Sequence, residues 1–308
     1  MPARPDRASG LSASNGVKED TMSLLALPLA ETQSPLEPAS KSVPYRLAVG
    51  LGLVLVVGLF AGRCWDVARR DAITSDETTH LTHSLHYWIT GDDLEMWELG
   101  APRLPHLAYG LASYLALRPS GALPAVPDEP ALTALVTSGS DRVLLPARSL
   151  AILSGVVLLL SVFWAVARTR NAVEALIAVA LLSLVPECLA HSAIAGSDMP
   201  FTAAAMLAVI LLSRFAERPS WSRWLSASAV IGLAWAMRHS AILLLILAAG
   251  VHLAGSLRGK SVEDQESEPL LDRLSSSFLA ILAMGTLAFS ILWGGDGFQT
   301  LSMADLAE

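Results

Sequence analysis

Long apolar runs, separated by short charged stretches, fill the chain from Pro44 onwards. A run of about 20 such residues is the length of a membrane-crossing helix. The pattern predicts helices near Pro44–Gly62, Arg148–Ala167, Val173–Ala190, Pro200–Phe215, Trp221–Met237, Ser240–Leu257 and Leu274–Trp293, about seven spans in all. The third to fifth are short or carry charge near an end, and Pro186 and Pro200 predict kinked or ragged ends there.

The polar segments between these runs set an orientation. Arg168 and Arg170, then Arg214, Arg218 and Arg223, then Arg258, Lys260 and Arg273 alternate with short loops that carry only Arg238. An excess of Lys and Arg marks the cytoplasmic side, so the N-terminus is expected to be cytoplasmic. Residues 1–43, rich in Ser, Pro and Ala without sustained periodicity, read as a disordered cytoplasmic tail. The apolar patch Leu24–Ala30 is followed by a full-length span, which argues against a removed signal segment.

The same alternation places residues 63–147 outside, as the one long hydrophilic-to-amphipathic excursion. Thr74 or Ser75 can cap a helix running to about Ile89, with Asp76 and Glu77 in its first turn, where the positive helix end favours them. Leu81, Leu85 and Trp88 form an apolar stripe suited to the membrane interface. Leu104–Leu115 reads as a second amphipathic piece with interfacial tyrosines, and Pro119–Pro146 as a turn-rich loop. Residues 44–300 thus form one transmembrane domain.

Composition agrees with this class: 53% of the 308 residues are hydrophobic and only 16% charged, with a mean hydropathy of +0.51. That is the profile of an all-α polytopic membrane protein in the cell membrane, and a soluble core this apolar would be improbable. The formal net charge of −7 comes mainly from loops. No basic, aromatic-rich patch exists, so nucleic acid is not a partner. Two cysteines, Cys64 and Cys188, are too few for a disulfide framework; both fall near the same outer face, which leaves a bridge or two buried thiols.

Carboxylates at the lip of a bilayer are costly to hold, and their default meaning is a site handling something at the membrane surface. Asp76 and Glu77 stand just outside the first span, and Asp198 stands after a later one, in Ser197-Asp198-Met-Pro200. This placement points to chemistry on a lipid-linked substrate. Each residue also has a plain structural reading. Asp76 and Glu77 can serve only as first-turn helix acids, Asp198 can cap the helix that begins at Pro200, and Arg148 and Arg238 can snorkel to headgroups.

The order of these pieces resembles the GT-C membrane glycosyltransferases, most closely the protein mannosyltransferase and aminoarabinose transferase branch. The pieces are a cytoplasmic N-terminus, one span, a long outer loop opening on Asp76-Glu77 and an Arg-led span, Pro146-Ala-Arg148-Ser-Leu-Ala-Ile-Leu-Ser-Gly155. Then come Pro186-Glu-Cys-Leu-Ala-His191 with Ser197-Asp198-Met-Pro200, Gly232-Leu-Ala-Trp-Ala-Met-Arg238-His-Ser-Ala241, and Gly294-Gly-Asp-Gly-Phe298. Two departures stand out. The family's Asn or His followed by two prolines and Leu is matched only in part by Arg103-Leu-Pro105-His106-Leu107. The chain also ends about where the family's remaining spans would begin, so residues 301–308 are expected to be a truncated end and the chain alone catalytically incomplete.

The resemblance implies transfer of a sugar from a polyprenyl-phosphate donor to an acceptor hydroxyl on protein, lipid or glycan at the outer face, amid membrane lipids. It implies Asp76 as general base, with Glu77 orienting a sugar hydroxyl or a neighbouring cation. Asp198, Arg148, Arg238, His191 and His106 are the expected substrate-binding residues, the two arginines serving the lipid phosphate. Asp76, Asp198, Arg148 and Arg238 are expected to line one cavity. Asp76, His80 and His83 share a helical face, but their order is not that of a zinc protease. No metal or cofactor is assigned, although some relatives use a divalent ion bound by carboxylates. His252, alone in a span, reads as an interhelical hydrogen-bonding residue. The competing reading is a non-catalytic membrane protein, such as a transporter fragment or a glycosyltransferase-like subunit. Transporters place charges near the midplane within paired repeats, and this chain shows neither.

Overall fold

The computed structural model describes residues 43–91, 103–124, 127–257 and 270–295. The expectations for the tail before residue 43, for Arg258 and Lys260, and for the chain beyond residue 295 lie outside the described residues. The chain divides into two compact units, Met1–Arg46, of which residues 43–46 at the start of the first helix are described, and Leu47–Glu308, which holds the helical bundle.

All regular structure among the described residues is helical. The helices are α1 (Val43–Arg70), α2 (Ser75–Thr90), α3 (Leu104–Leu117), α4 (Glu129–Thr137), α5 (Asp141–Thr169), α6 (Ala172–Leu182), α7 (Pro186–Ala193), α8 (Asp198–Glu217), α9 (Trp221–Trp235), α10 (Ile242–Leu257) and α11 (Leu270–Gly295). Each expected span is helical over most of its length, the third broken before Pro186, but the count of seven is not reached among the described residues. Four helices, α1, α5, α8 and the Ser277–Gly294 part of α11, are long and apolar enough to cross a bilayer. A fifth span arises if α6 and α7 are taken together, although they meet at a 69° bend. The bend falls where Pro186 cannot donate a backbone hydrogen bond to continue α6. At 15 residues α9 is too short to cross.

The long helix α5 is the hub. Phe60 and Cys64 of α1 pack with Ile152 and Leu159 of α5, and Val179, Cys188 and Met199 complete that core. Cys64 and Cys188 are both free and buried, which decides between the bridge and the thiols. Beyond them α8, α9, α10 and α11 form a second core around Ala208, Ile231, Ala248 and Met284. Large apolar side chains face outwards along α1, α6, α10 and α11, among them Leu51, Leu55, Ile177, Leu181, Leu243, Ile246, Phe278 and Leu282. This surface suits hydrocarbon rather than water.

The segment after α1 departs from expectation in two ways. Of the expected stripe Leu81, Leu85 and Trp88, the first two are buried with Tyr109, Leu117, Leu132 and Val136, forming a helical cap on the first half of α5, and Trp88 Nε1 donates to the Leu107 carbonyl at 2.8 Å. The stretch expected to be a turn-rich loop contains α4 and the start of α5. Asp128 caps α4 by accepting from the Ala131 amide at 2.9 Å. The α2–α3 crossing is close because Gly110 has no side chain. A Cβ there would stand 2.5 Å from Ser84 Cβ and 2.9 Å from the Ser84 carbonyl carbon.

The bundle has two chemically distinct ends. At one, Arg168 at the end of α5 pairs with Glu217 at the end of α8, Nη2 to Oε2 at 2.8 Å. At the other lie the end of α1, the starts of α2, α5 and α8, and the turn after α9.

Candidate functional site

The second end carries most of the polar chemistry, and its centre is Glu77. Thr74 caps α2 in reciprocal fashion: its hydroxyl accepts from the Glu77 amide at 3.2 Å, and Glu77 Oε2 accepts from the Thr74 amide at 3.1 Å. This is the capping box that a Thr followed three residues later by Glu can make. The remaining acceptor capacity of Glu77 goes to two distant groups. Oε1 accepts from Arg148 Nε and from the Ala195 amide, both at 2.9 Å, and Oε2 accepts from Arg148 Nη2 at 2.8 Å.

Arg148 is equally saturated. Besides its two bonds to Glu77, Nη1 donates to the carbonyls of Ala68 at 2.6 Å and Asp71 at 3.1 Å, and Nη2 to Ala72 at 3.2 Å. All of its N–H groups are thereby used. Ala68 lies in the last turn of α1, where helix geometry leaves carbonyls without partners, so Arg148 caps α1 as well as pairing with Glu77. The two side chains are 1% and 0% exposed. Burial pushes the Glu77 carboxyl up, but the bonds from Arg148, Ala195 and Thr74 outweigh it and hold its pKa below the ordinary value.

This geometry alters the part assigned to Arg148. It was expected to face a lipid phosphate from a cavity; sealed and fully bonded, it lines none. Glu77 likewise presents no free oxygen, and of the two roles expected for it the neighbouring cation is the one present. Asp76, the next residue back, is exposed; Ser75 Oγ donates to its Oδ1 at 3.5 Å, and its charge acts on His80 one turn on.

Three other expected residues do come together. Asp198, in the first turn of α8, pairs through Oδ1 with Arg238 Nη1, and its Oδ2 lies 3.4 Å from His191 Nδ1. Arg238 follows α9 and His191 belongs to α7, so three chain segments meet at one carboxylate. All three side chains are between 41% and 52% exposed, and Arg238 Nε and Nη2 make no hydrogen bond among the described residues. The bond from the Ala195 amide to Glu77 joins this cluster to the α2 helix, because Ala195 stands three residues before Asp198.

His106 does not reach the open side. It is 3% exposed, stacked on His80 with ring centroids 3.6 Å apart. Both of its ring nitrogens, and His80 Nδ1, are buried without a partner. Burial, and next the nearby His80, push the His106 pKa down to about 3, so the ring is neutral. Tyr109, expected at the membrane interface, is instead buried and donates to the Gly196 carbonyl at 2.8 Å. Burial first, and then the Glu77 charge, push its hydroxyl pKa up. Thr74 is one of the two expected caps, and its Thr-x-x-Glu spacing is the signal that selects it. The holding roles of Ala195 and Tyr109 were not foreseen, and nothing local marks them.

Residues 127–267 match the model of a family described as dolichyl-phosphate-mannose-protein mannosyltransferase. The match takes in Arg148, His191, Asp198 and Arg238, and leaves Asp76, Glu77 and His106 outside it. No curated protein and no solved structure matches the chain. By its apolar helices the chain is a multi-pass membrane protein, and its residues 127–267 are similar to that mannosyltransferase family.

Proposed function

We propose that the protein transfers a sugar from a polyprenyl phosphate to an acceptor hydroxyl at the outer membrane face, with Asp76 as the general base. The observation that carries this reading is the Ala195–Glu77 hydrogen bond, which ties the helix presenting Asp76 to the segment presenting Asp198. The excess of arginines at the opposite end supports the outward assignment.

In the proposed reaction the acceptor oxygen attacks the anomeric carbon while the bond from that carbon to the phosphate oxygen breaks. The bonding pair leaves with the phosphate, which becomes a dianion, and the hydroxyl proton passes to the Asp76 carboxylate. An exposed carboxylate on a rigid helix suits that role, since a general base must reach the hydroxyl within hydrogen-bonding distance. The growing phosphate charge needs fixed donors, and Arg238, held by Asp198 through one nitrogen, has two others to offer. Glu77 and Arg148 act at one remove: they fix where α2 starts and so where Asp76 stands.

A photoreactive mannosyl polyprenyl phosphate, added to membranes carrying the protein, tests the donor assignment. The label should attach to the protein and be lost in Arg238→Gln, while equal labelling of both proteins contradicts the assignment.

A further inference from the structure

Around the α8–α9 turn, among the described residues, several arginines gather on one carboxylate, Glu217. Arg168, Arg214 and Arg223 all lie within electrostatic reach of Glu217, and Arg218 follows it directly. Only Arg168 forms a close pair with that acid. Arg223 Nη1 is turned inwards to the carbonyls of Arg214 at 3.1 Å and Arg218 at 2.8 Å, closing the α8–α9 turn. Arg214 lays its guanidinium over the Trp164 ring, 4.9 Å from the centroid. Arg218 is exposed and makes no side-chain hydrogen bond among the described residues.

Aromatic and apolar groups adjoin these charges. Trp221 stacks on Trp224 with centroids 4.8 Å apart, and it is 73% exposed where Trp224 is 8% exposed. Leu225, one turn after Trp221, and Val209, two turns before the end of α8, are likewise exposed. On the same two helices Arg214 Nε and Trp224 Nε1 are donors with no acceptor among the described residues. The first turn of α9 contains no acid to compete for its positive end.

We infer that the α8–α9 turn is a binding site for an anionic phospholipid. Its phosphate sits between Arg214 and Arg218, its glycerol region against Trp221, and its acyl chains along Leu225 and Val209. A lipid fits better than a soluble anion because the cations open directly onto apolar surface, where tryptophan favours the headgroup level. The site is independent of the sugar-transfer reading, since it lies at the other end of the bundle from Asp76 and Arg238.

The test uses the full chain in phosphatidylcholine vesicles with and without phosphatidylglycerol, followed by native mass spectrometry of the lipids that stay bound. Wild type should retain phosphatidylglycerol preferentially. Arg218→Gln should weaken that preference about fivefold, the worth of one basic residue near an anionic surface. Raised salt should weaken it in the wild-type protein too, a measurement that holds even if the variant folds poorly. Excess inorganic phosphate should leave it unchanged. A wild-type protein without preference, a folded variant with undiminished preference, a preference indifferent to salt, or displacement by inorganic phosphate would each overturn the assignment.

Discussion

Arg148 closes on Glu77 through two parallel hydrogen bonds, Nε to Oε1 at 2.9 Å and Nη2 to Oε2 at 2.8 Å, with both side chains sealed from solvent. Taking two ions out of water costs several kcal/mol each, and only complete hydrogen bonding offsets it. Removing one partner strands the other. Arg148→Ala or Glu77→Ala should therefore destabilise the protein by about 3–5 kcal/mol, read as a lower melting temperature in detergent. The double variant Glu77→Met with Arg148→Leu should lose less than either single alanine, because no charge is left buried.

The buried His106 gives the cap an acid limit. Its folded pKa of about 3 lies below the ordinary 6.5, so the unfolded chain takes up a proton that the folded one refuses. The contribution is fully present above pH 6.5 and is lost as the pH falls towards 3, at up to about 1.4 kcal/mol per pH unit. Glu77, with its pKa held below the ordinary 4.5, adds a loss of the same sign that begins as the pH falls through 4.5. His106→Phe keeps a flat ring on His80 and removes the proton site, so its melting temperature should fall less between pH 7 and pH 5 than that of wild type.

Gly110→Ala tests the α2–α3 crossing. In an open helix alanine would stabilise, by about 1 kcal/mol. Here the added carbon meets backbone of Ser84 at 2.9 Å, so the helices must part. The net effect should be a destabilisation of about 1–3 kcal/mol, measured by thermal unfolding. A gain in stability would show that the crossing is looser than described.

Much of this architecture is written locally, and the rest depends on distant pairings. The apolar runs give the positions of the helices, and Thr74 with Glu77 gives the start of α2. The number of spans was not legible, because α9, expected over Trp221–Met237, ends at Trp235 and is too short to cross, whereas the break before Pro186 is the kink that its proline predicts. The helix α4 was hidden inside a proline-rich stretch, where Asp128 before Glu129 and Pro130 was its only signal. Arg148 was read as facing lipid because its partner stands 71 positions away. No local pattern reveals that all its donors are consumed. The meeting of Asp198 with Arg238 and His191 followed from their expected common side, whereas the burial of His106 did not.

The carboxylate of Asp198 is nearly half exposed, so Asp198→Asn should fold normally. It should leave Arg238 less firmly placed and raise the KM for the polyprenyl-phosphate donor more than it lowers kcat. A change in the melting temperature without any change in KM would make the pair structural only.

Sugar transfer by Asp76→Asn is the most direct test of the mechanism. Native membranes, which keep any further spans or subunits the reaction needs, and which carry the wild-type protein or this variant, are supplied with a mannosyl polyprenyl phosphate and an acceptor, and the transferred sugar is counted. Asp76 is exposed and bonded to no other helix, so the variant should melt at the wild-type temperature and keep the donor label while its transfer is abolished. Wild-type turnover with asparagine at position 76 would contradict the assignment of the base and, with it, the mechanism.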